Sequence, residues 1–418
     1  MSILIVRGGT KLEGEICAQG SKNAALPILA ASLLCGRTVR LTNVPRLSDV
    51  ANMTAILCQL GCVIQQDGDA LTIDSSRLTT CVLPERLSKE MRSSIFLLGS
   101  VLGRLKEAVA TYPGGCEIGN RPIDLHLQGL KRLGAEIDED GGRIRIKGGR
   151  LKGAVVQLDY PSVGATENVM LAACSAHGET VVQNAAREPE IVALQDFLNA
   201  AGYHVNGAGT STVVIRGGGT PHELEYRIMP DRIAAGTLLT AGAISGGNVR
   251  VTGISPDMLS AVVDKLVATG CKVSSEPDSI ALIAPERPKE LERMDTLPYP
   301  GFPTDMQAQF FSLCQVADGT SVIVENVFEN RFKHAQELRI MGGKNVIYGR
   351  TAVIRGVDKL FGAKVTARDL RGGAALVLAG LRAEGVTVVE QAEIIDRGYE
   401  ALEEQLNSLG ASIERKDN

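Results

Sequence analysis

No apolar run in this sequence reaches the roughly 20 residues that a membrane-crossing helix requires. The opening MSILIVRGGTKLEGEI reads as a strand and a turn, without the apolar core or cleavage site of a secretory leader. No dinucleotide fingerprint, Walker loop or HExxH pattern occurs, which argues against nicotinamide, ATP and zinc chemistry. The nine cysteines are odd in number, and Cys58 and Cys62 have neither a second pair nor a nearby histidine to complete a metal set. A reducing compartment, a soluble cytoplasmic protein and no metal are therefore expected. With a formal charge of −4 and acids and bases interleaved, there is no basic stripe for nucleic acid. Tryptophan is missing while glycine reaches 46 residues, a balance that favours close helix packing and many turns.

What the chain does have is repetition. Six times a helical pattern runs into a glycine and then a short strand, at Gly61, Gly134, Gly202, Gly270, Gly342 and Gly410. Glycine suits the left-handed position that closes a helix, and the spacing of about 70 residues exceeds the usual solenoid periods. Between these copies lie small-residue stretches with few charges, such as AALPILAASLL, ENVMLAAC and RIAAGTLLTAGAIS, which read as helices buried on most sides. Stretches such as SPDMLSAVVDKLVATG and GYEALEEQLNSLG carry charge on one face and belong outside. At 418 residues, two bodies of three repeats are expected, dividing near residues 226–231. Buried helices surrounded by sheets make the fold class an inverted α/β.

One thiol stands apart. Cys116 lies in YPGGCEIGNRPIDLHL between glycines, with Arg121 nearby and a helix expected to start behind it, Asn120 serving as cap and Pro122 in the first turn. An arginine and a helix N-terminus both favour a thiolate, whereas Glu117 opposes it. The remaining cysteines, Cys17, Cys35, Cys58, Cys62, Cys81, Cys174, Cys271 and Cys314, read as small buried apolar residues. Polar clusters also mark the starts of buried helices: Lys22 and Asn23 in SKNAALPIL, Ser162 and Gly164 in YPSVGATENVM, and Thr304 with Asp305 in YPGFPTDMQAQFF. Ordinary capping explains each of these taken alone. Two prolines and a glycine before Asp305 also suit a positioned general base. Lys22, Arg92, Arg121, Arg331, Arg371 and Arg397, several of them beside helix starts, together suggest a convergent cationic pocket for an anionic substrate.

GGCEIGNRPIDLHL, YRIMPDRI, PGFPTDMQAQ, VFENRF, RDLRGGAALVLAGL and DRGYE, in this order and nearly end to end, resemble the UDP-N-acetylglucosamine 1-carboxyvinyltransferase family, the enolpyruvyl transferases of peptidoglycan synthesis. The resemblance implies two inside-out α/β barrel domains of the EPSP synthase type, each of three repeats. Residues 22–229 would form the domain carrying the Cys116 loop, residues 1–21 plus 230–418 the other, with the active site in the cleft between them. It also implies phosphoenolpyruvate and UDP-N-acetylglucosamine as substrates, phosphate as product, no cofactor, and fosfomycin as an inhibitor at Cys116.

Carried over by motif, Cys116 resembles the acid that protonates the methylene carbon of phosphoenolpyruvate, and Asp305 the base that takes the sugar hydroxyl proton. Lys22, Asn23, Cys116, Arg121 and Arg397 would hold phosphoenolpyruvate, Lys22 and Arg397 also serving the chemistry. Asn23, Arg92, Arg121, Pro122, Ile123, Asp124, Leu125, Ser162, Val163, Gly164, Asp305 and Val327 would hold the UDP-sugar. Arg331, Asp369 and Arg371 would support the reacting centre. Tyr160, Phe96 and Ile394 stand where some members carry Lys, Trp and His. Two other readings stay open: 5-enolpyruvylshikimate-3-phosphate synthase, which lacks a cysteine loop of this form, and a non-catalytic UDP-sugar sensor.

Overall fold

All six helix-closing glycines have positive φ, between 90° and 111°. Each follows an amphipathic helix: Ser48–Gln59, Asp124–Arg132, Pro189–Ala200, Ser260–Ala268, His334–Ile340 and Leu402–Ser408. A side chain at these positions would strain the backbone, which is why glycine recurs there. The structure, a computed structural model, describes residues 2–112, 114 and 123–417.

Among the described residues the strands form six separate sheets, five of four strands and one of three. They do not close into a barrel among the described residues, so each unit is a set of sheets packed about helices. One pairing scheme recurs in every four-stranded sheet. In the sheet built on Thr320–Val324, Met294–Asp295 pairs parallel on one side and Thr351–Arg355 antiparallel on the other, with Lys344–Tyr348 beyond. Among the described residues, the sheet Glu107–Thr111, Arg143–Lys147, Glu136–Asp140 has no parallel edge strand, and the bridge of Val82 to Val109 stands in its place.

Two sheets are completed from far along the chain. Ser2–Arg7 lies between Val386–Glu390 and Ser412–Asp417, Ser2 standing opposite Asp417. Leu224–Arg227 pairs parallel with Thr38–Thr42. Contacts divide the chain into one unit of residues 2–19 with 230–417 and another of residues 20–112, 114 and 123–229.

Each unit has its own apolar core, built on three of the small-residue helices. In the first unit every residue of Arg232–Ser245 is buried. In the second, all of Lys22–Cys35 beyond Asn23 is buried. Small residues let these helices approach: a Cβ on Gly99 would lie 2.4 Å from the Asn168 carbonyl oxygen. The Gly99 N–H instead donates to the Asn168 side chain at 2.6 Å. Among the described residues no helix is long and apolar enough to cross a membrane.

Local expectations fail where polar groups find partners other than helix ends. Asp124–Arg132 begins with Ile123 at its cap and no side-chain cap; Asn120, expected there, lies outside the described residues. Neither Thr304 nor Asp305 caps the fifth buried helix, because residues Thr304–Met306 form a 3-10 turn and both side chains bond elsewhere. Cys17 and Cys58 are exposed and Cys81 is half-buried, whereas Cys35, Cys62, Cys174, Cys271 and Cys314 are buried. Cys17 ends an exposed edge strand and Cys58 sits on the solvent face of its helix, so neither meets the core.

Candidate functional site

In the unit of residues 20–229, Ser21 caps the first buried helix by accepting from the Ala24 N–H at 3.3 Å. Lys22 is therefore in the first turn, and its ammonium donates to Asp49 Oδ2 at 3.0 Å. The side chains of Lys22 and Asp49 are 11% and 6% exposed, so the pair is shielded from bulk water. Pro27 lies within this helix and brings no N–H to the carbonyl four residues back, that of Asn23. Ser162 caps the third buried helix through the Ala165 N–H at 3.3 Å, which puts Val163 and Gly164 in its first turn. A Cβ on Gly164 would meet His126 and Phe96, each at 3.0 Å, so a larger residue would have to push one of those rings aside.

Behind it, Asn168 donates to the Ile95 carbonyl at 3.1 Å and lies 3.2 Å from His126 Nδ1. Burial, with a smaller push from Arg92, lowers the His126 pKa to about 3, so this imidazole is neutral at physiological pH. Arg92 starts the 3-10 turn Arg92–Phe96. Ile123 is buried, Leu125 half-buried and Asp124 exposed at the start of their helix. Cys116, Arg121 and Pro122 lie outside the described residues.

In the unit of residues 2–19 and 230–417, the Asp305 carboxylate is the organising group. Arg331 Nη2 donates to Oδ1 at 2.7 Å, while Arg371 donates to Oδ2 from Nη2 at 3.0 Å and from Nε at 3.3 Å. The side chains of Arg331 and Arg371 are 3% and 2% exposed, against 26% for Asp305. Burial works to lower the Arg371 pKa, but Tyr399, Asp305 and Asp231 outweigh it and hold the guanidinium charged. Asp369 caps the helix Leu370–Arg382 by accepting from the N–H groups of Arg371 and Gly372. The cap thereby sets where Arg371 points.

Val327 sits in a turn tied down by buried Glu325. One oxygen of Glu325 accepts from the Val327 and Phe328 N–H groups at 2.8 and 3.0 Å, and the other from Thr304 at 2.9 Å. Glu325 thus links the turn of Val327 to the turn of Asp305. Arg397 ends the 3-10 turn Ala392–Arg397, and the backbone just after it is clamped by Gln19, which bonds the Gly398 carbonyl and the Glu400 N–H. Among the described residues no group of three or more His, Cys, Asp or Glu could hold a metal.

The cations expected to converge on an anion do not stand as a uniform positive patch. Lys22 pairs with Asp49, and Arg331 and Arg371 share Asp305. Buried cations without acids would be too costly, and the fold supplies the acids. Asp49, Glu325, Gln309 and Tyr399 were not singled out from the sequence. Tyr399, two residues past Arg397 and adjoining a glycine, offered the clearest signal, but its apolar ring was read as part of an exposed helix.

A family model described as EPSP synthase (3-phosphoshikimate 1-carboxyvinyltransferase) matches residues 6–406. The chain is 52% identical to UDP-N-acetylglucosamine 1-carboxyvinyltransferase 2 of Caldanaerobacter subterraneus over 98% of both chains. It is 47% identical to UDP-N-acetylglucosamine 1-carboxyvinyltransferase 1 of Carboxydothermus hydrogenoformans, covering 99% of this chain and 98% of that one. Among solved structures, the enolpyruvyl transferase NikO from Streptomyces tendae superposes with a TM-score of 0.89 at 25% identity, covering 99% of each chain. With matches this long to both the family model and its named members, the chain belongs to the EPSP synthase family of enolpyruvyl transferases, among the UDP-N-acetylglucosamine 1-carboxyvinyltransferases.

Proposed function

We propose that this chain transfers the enolpyruvyl group of phosphoenolpyruvate to the 3′-hydroxyl of UDP-N-acetylglucosamine and releases phosphate, the first committed step of peptidoglycan synthesis, in the cytoplasm. The observation that carries this reading is the near full-length identity of 52% and 47% with relatives of that name. Asp305 takes the hydroxyl proton as the sugar oxygen bonds to C2 of phosphoenolpyruvate, and the Cys116 thiol delivers a proton to C3. The tetrahedral intermediate so formed then returns a proton from C3 to the Cys116 thiolate as the bond from C2 to the phosphate oxygen breaks, expelling inorganic phosphate, which carries away the proton that Asp305 took from the sugar hydroxyl. No electron is gained or lost overall, so the chemistry calls for no redox cofactor.

Lys22, Arg121 and Arg397 hold the phosphate and carboxylate, with Asn23 beside them, stabilising charge as it builds. Arg92, the run 121–125, Ser162, Val163, Gly164 and Val327 hold the nucleotide sugar. Arg331, Asp369 and Arg371 support Asp305. The geometry of Asp305 supports its part: a carboxylate gripped by two buried guanidiniums is fixed in position and in the plane it presents.

Phosphate release from phosphoenolpyruvate tests the reading. In wild type, release requires UDP-N-acetylglucosamine and is not supported by shikimate 3-phosphate. In Cys116→Ser it falls by about 100-fold or more, the scale of a lost general acid. Release with shikimate 3-phosphate alone, or none with either acceptor, would overturn it. Fosfomycin alkylates Cys116 in this reading, so peptide mass spectrometry after treatment should find the adduct on that thiol; an unmodified Cys116 peptide counts against it.

A further inference from the structure

We infer that Gln309 and Tyr399 are positioning residues for Asp305, acting on its backbone and its carboxylate at once; the inference rests on the proposed role of Asp305 as the base. Gln309 lies one turn beyond Asp305, and its Nε2 donates to the Asp305 carbonyl at 2.9 Å and to the Tyr399 hydroxyl at 3.0 Å. A carbonyl only accepts, so the amide must present its nitrogen on this side. Its oxygen is left buried without a partner, which is the cost of that orientation. Thr237 donates its hydroxyl proton to the Ile233 carbonyl at 2.8 Å. In the 3.0 Å contact between Thr237 and Tyr399, the donor is therefore Tyr399.

Gln309 Nε2 also lies 3.0 Å from the Thr237 hydroxyl, so Gln309 and Tyr399 both donate toward Thr237, which in turn donates to the buried helix Arg232–Ser245. The face of the Tyr399 ring carries the Arg371 guanidinium, 5.1 Å from its centroid. That guanidinium is the one that grips Asp305 Oδ2. A closed circuit results: Asp305 backbone, Gln309, Tyr399, Arg371, Asp305 carboxylate. Gln309, Tyr399 and Arg371 are 0%, 1% and 2% exposed, so bulk water does not compete for these contacts. Asp305 itself sits on a 3-10 turn, a less constraining support than a long helix. The circuit supplies the rigidity that the turn lacks, and a misplacement of about 1 Å at a reacting group costs on the order of 100-fold in rate.

The test is a double-mutant cycle read by steady-state phosphate release with phosphoenolpyruvate and UDP-N-acetylglucosamine. Gln309→Met removes the donor at nearly constant volume; Tyr399→Phe keeps the ring over Arg371 and removes the hydroxyl. Expected are a fall in kcat of about 10- to 100-fold for Gln309→Met and a smaller fall for Tyr399→Phe, with KM for both substrates within about threefold. In an Asp305→Ala background, neither substitution should lower the residual rate further, because the group they position is gone. Losses that add in that background, or kcat per folded molecule unchanged in both single variants, overturn the inference while the base reading stands. Wild-type turnover in Asp305→Ala alone overturns the base reading, and the inference with it. Thermal unfolding of every variant supplies the folded fraction, and Tyr399→Phe, which changes one atom, keeps the test decisive where Gln309→Met folds poorly.

Discussion

Asp305→Ala should lose turnover by about 10²- to 10⁴-fold, the range of a general base, and should also lose folding stability. The second loss follows from geometry alone. Arg331 and Arg371 donate three hydrogen bonds to this carboxylate and are almost fully buried. Removing one partner of a buried pair leaves charge without compensation, at a cost on the order of 3 kcal/mol. Asp305→Asn separates the two effects. Its amide preserves shape and can still accept from one guanidinium, so the stability loss shrinks, whereas a neutral amide takes no proton and turnover falls as far as in the alanine variant. Urea unfolding and phosphate release, measured on both variants, check this; an Asn variant that turns over like wild type would remove Asp305 from the chemistry.

Acid should destabilise the protein from pH 6.5 downward, because two buried histidines resist protonation in the folded state while the unfolded chain takes the proton up. His126 is flanked by Asn168 and Arg92, and burial lowers its pKa to about 3. His334 stacks edge-on against Phe311 with ring centroids 4.8 Å apart, and burial lowers its pKa to about 4, with Asp369 and Arg331 pulling in opposite directions. Both values fall below the ordinary 6.5, so between them the unfolded chain binds the proton and the folded chain does not. Stability is therefore complete above pH 6.5 and drains away as pH falls toward 4, by on the order of 3 kcal/mol per imidazole.

Glu167 works with the opposite sign. Fully buried, with Glu190 and Glu188 adding to the effect, it has a pKa raised well above 4.5, so its contribution declines as pH rises through that range. The two trends leave maximal stability near neutrality. Urea unfolding from pH 4 to 7 should show the acid slope in wild type and a flatter one in His126→Gln/His334→Gln; an unchanged slope would show that other groups carry it.

Much of the architecture was open to reading because it is written in residues with one job. A glycine after an amphipathic helix answers to backbone sterics alone, so Gly61, Gly134, Gly202, Gly270, Gly342 and Gly410 revealed the repeats without tertiary knowledge. The cores were legible for the same reason, as uncharged runs have nowhere else to go. Residues with several possible partners were not. Asp305 before a helix looked like a cap, and only the distant Arg331 and Arg371 explain why it is not one. Lys22 gave no hint of Asp49. Tyr399 looked like part of a continuous exposed helix, yet Ala401 has φ of 44° and the helix starts only at Leu402. The break turns the tyrosine inward, and nothing in its immediate neighbours announces it.

The placing of the strand Ser2–Arg7 between Val386–Glu390 and Ser412–Asp417 has a consequence in time. As the chain grows from its N-terminus, the unit of residues 20–229 has all its strands once Leu224–Arg227 has been made, and its core can condense while synthesis continues. The strand Ser2–Arg7 must meanwhile wait with both edges open until Val386–Glu390 and Ser412–Asp417 have been made. Contacts across so large a sequence separation close slowly, and an exposed strand edge invites mispairing in the interval. Within Ser2–Arg7 the run from Ile3 to Val6 is wholly aliphatic, and only Ser2 and Arg7 at its ends are polar. Until its partners arrive, that strand is an aggregation liability that the rest of the chain must outpace.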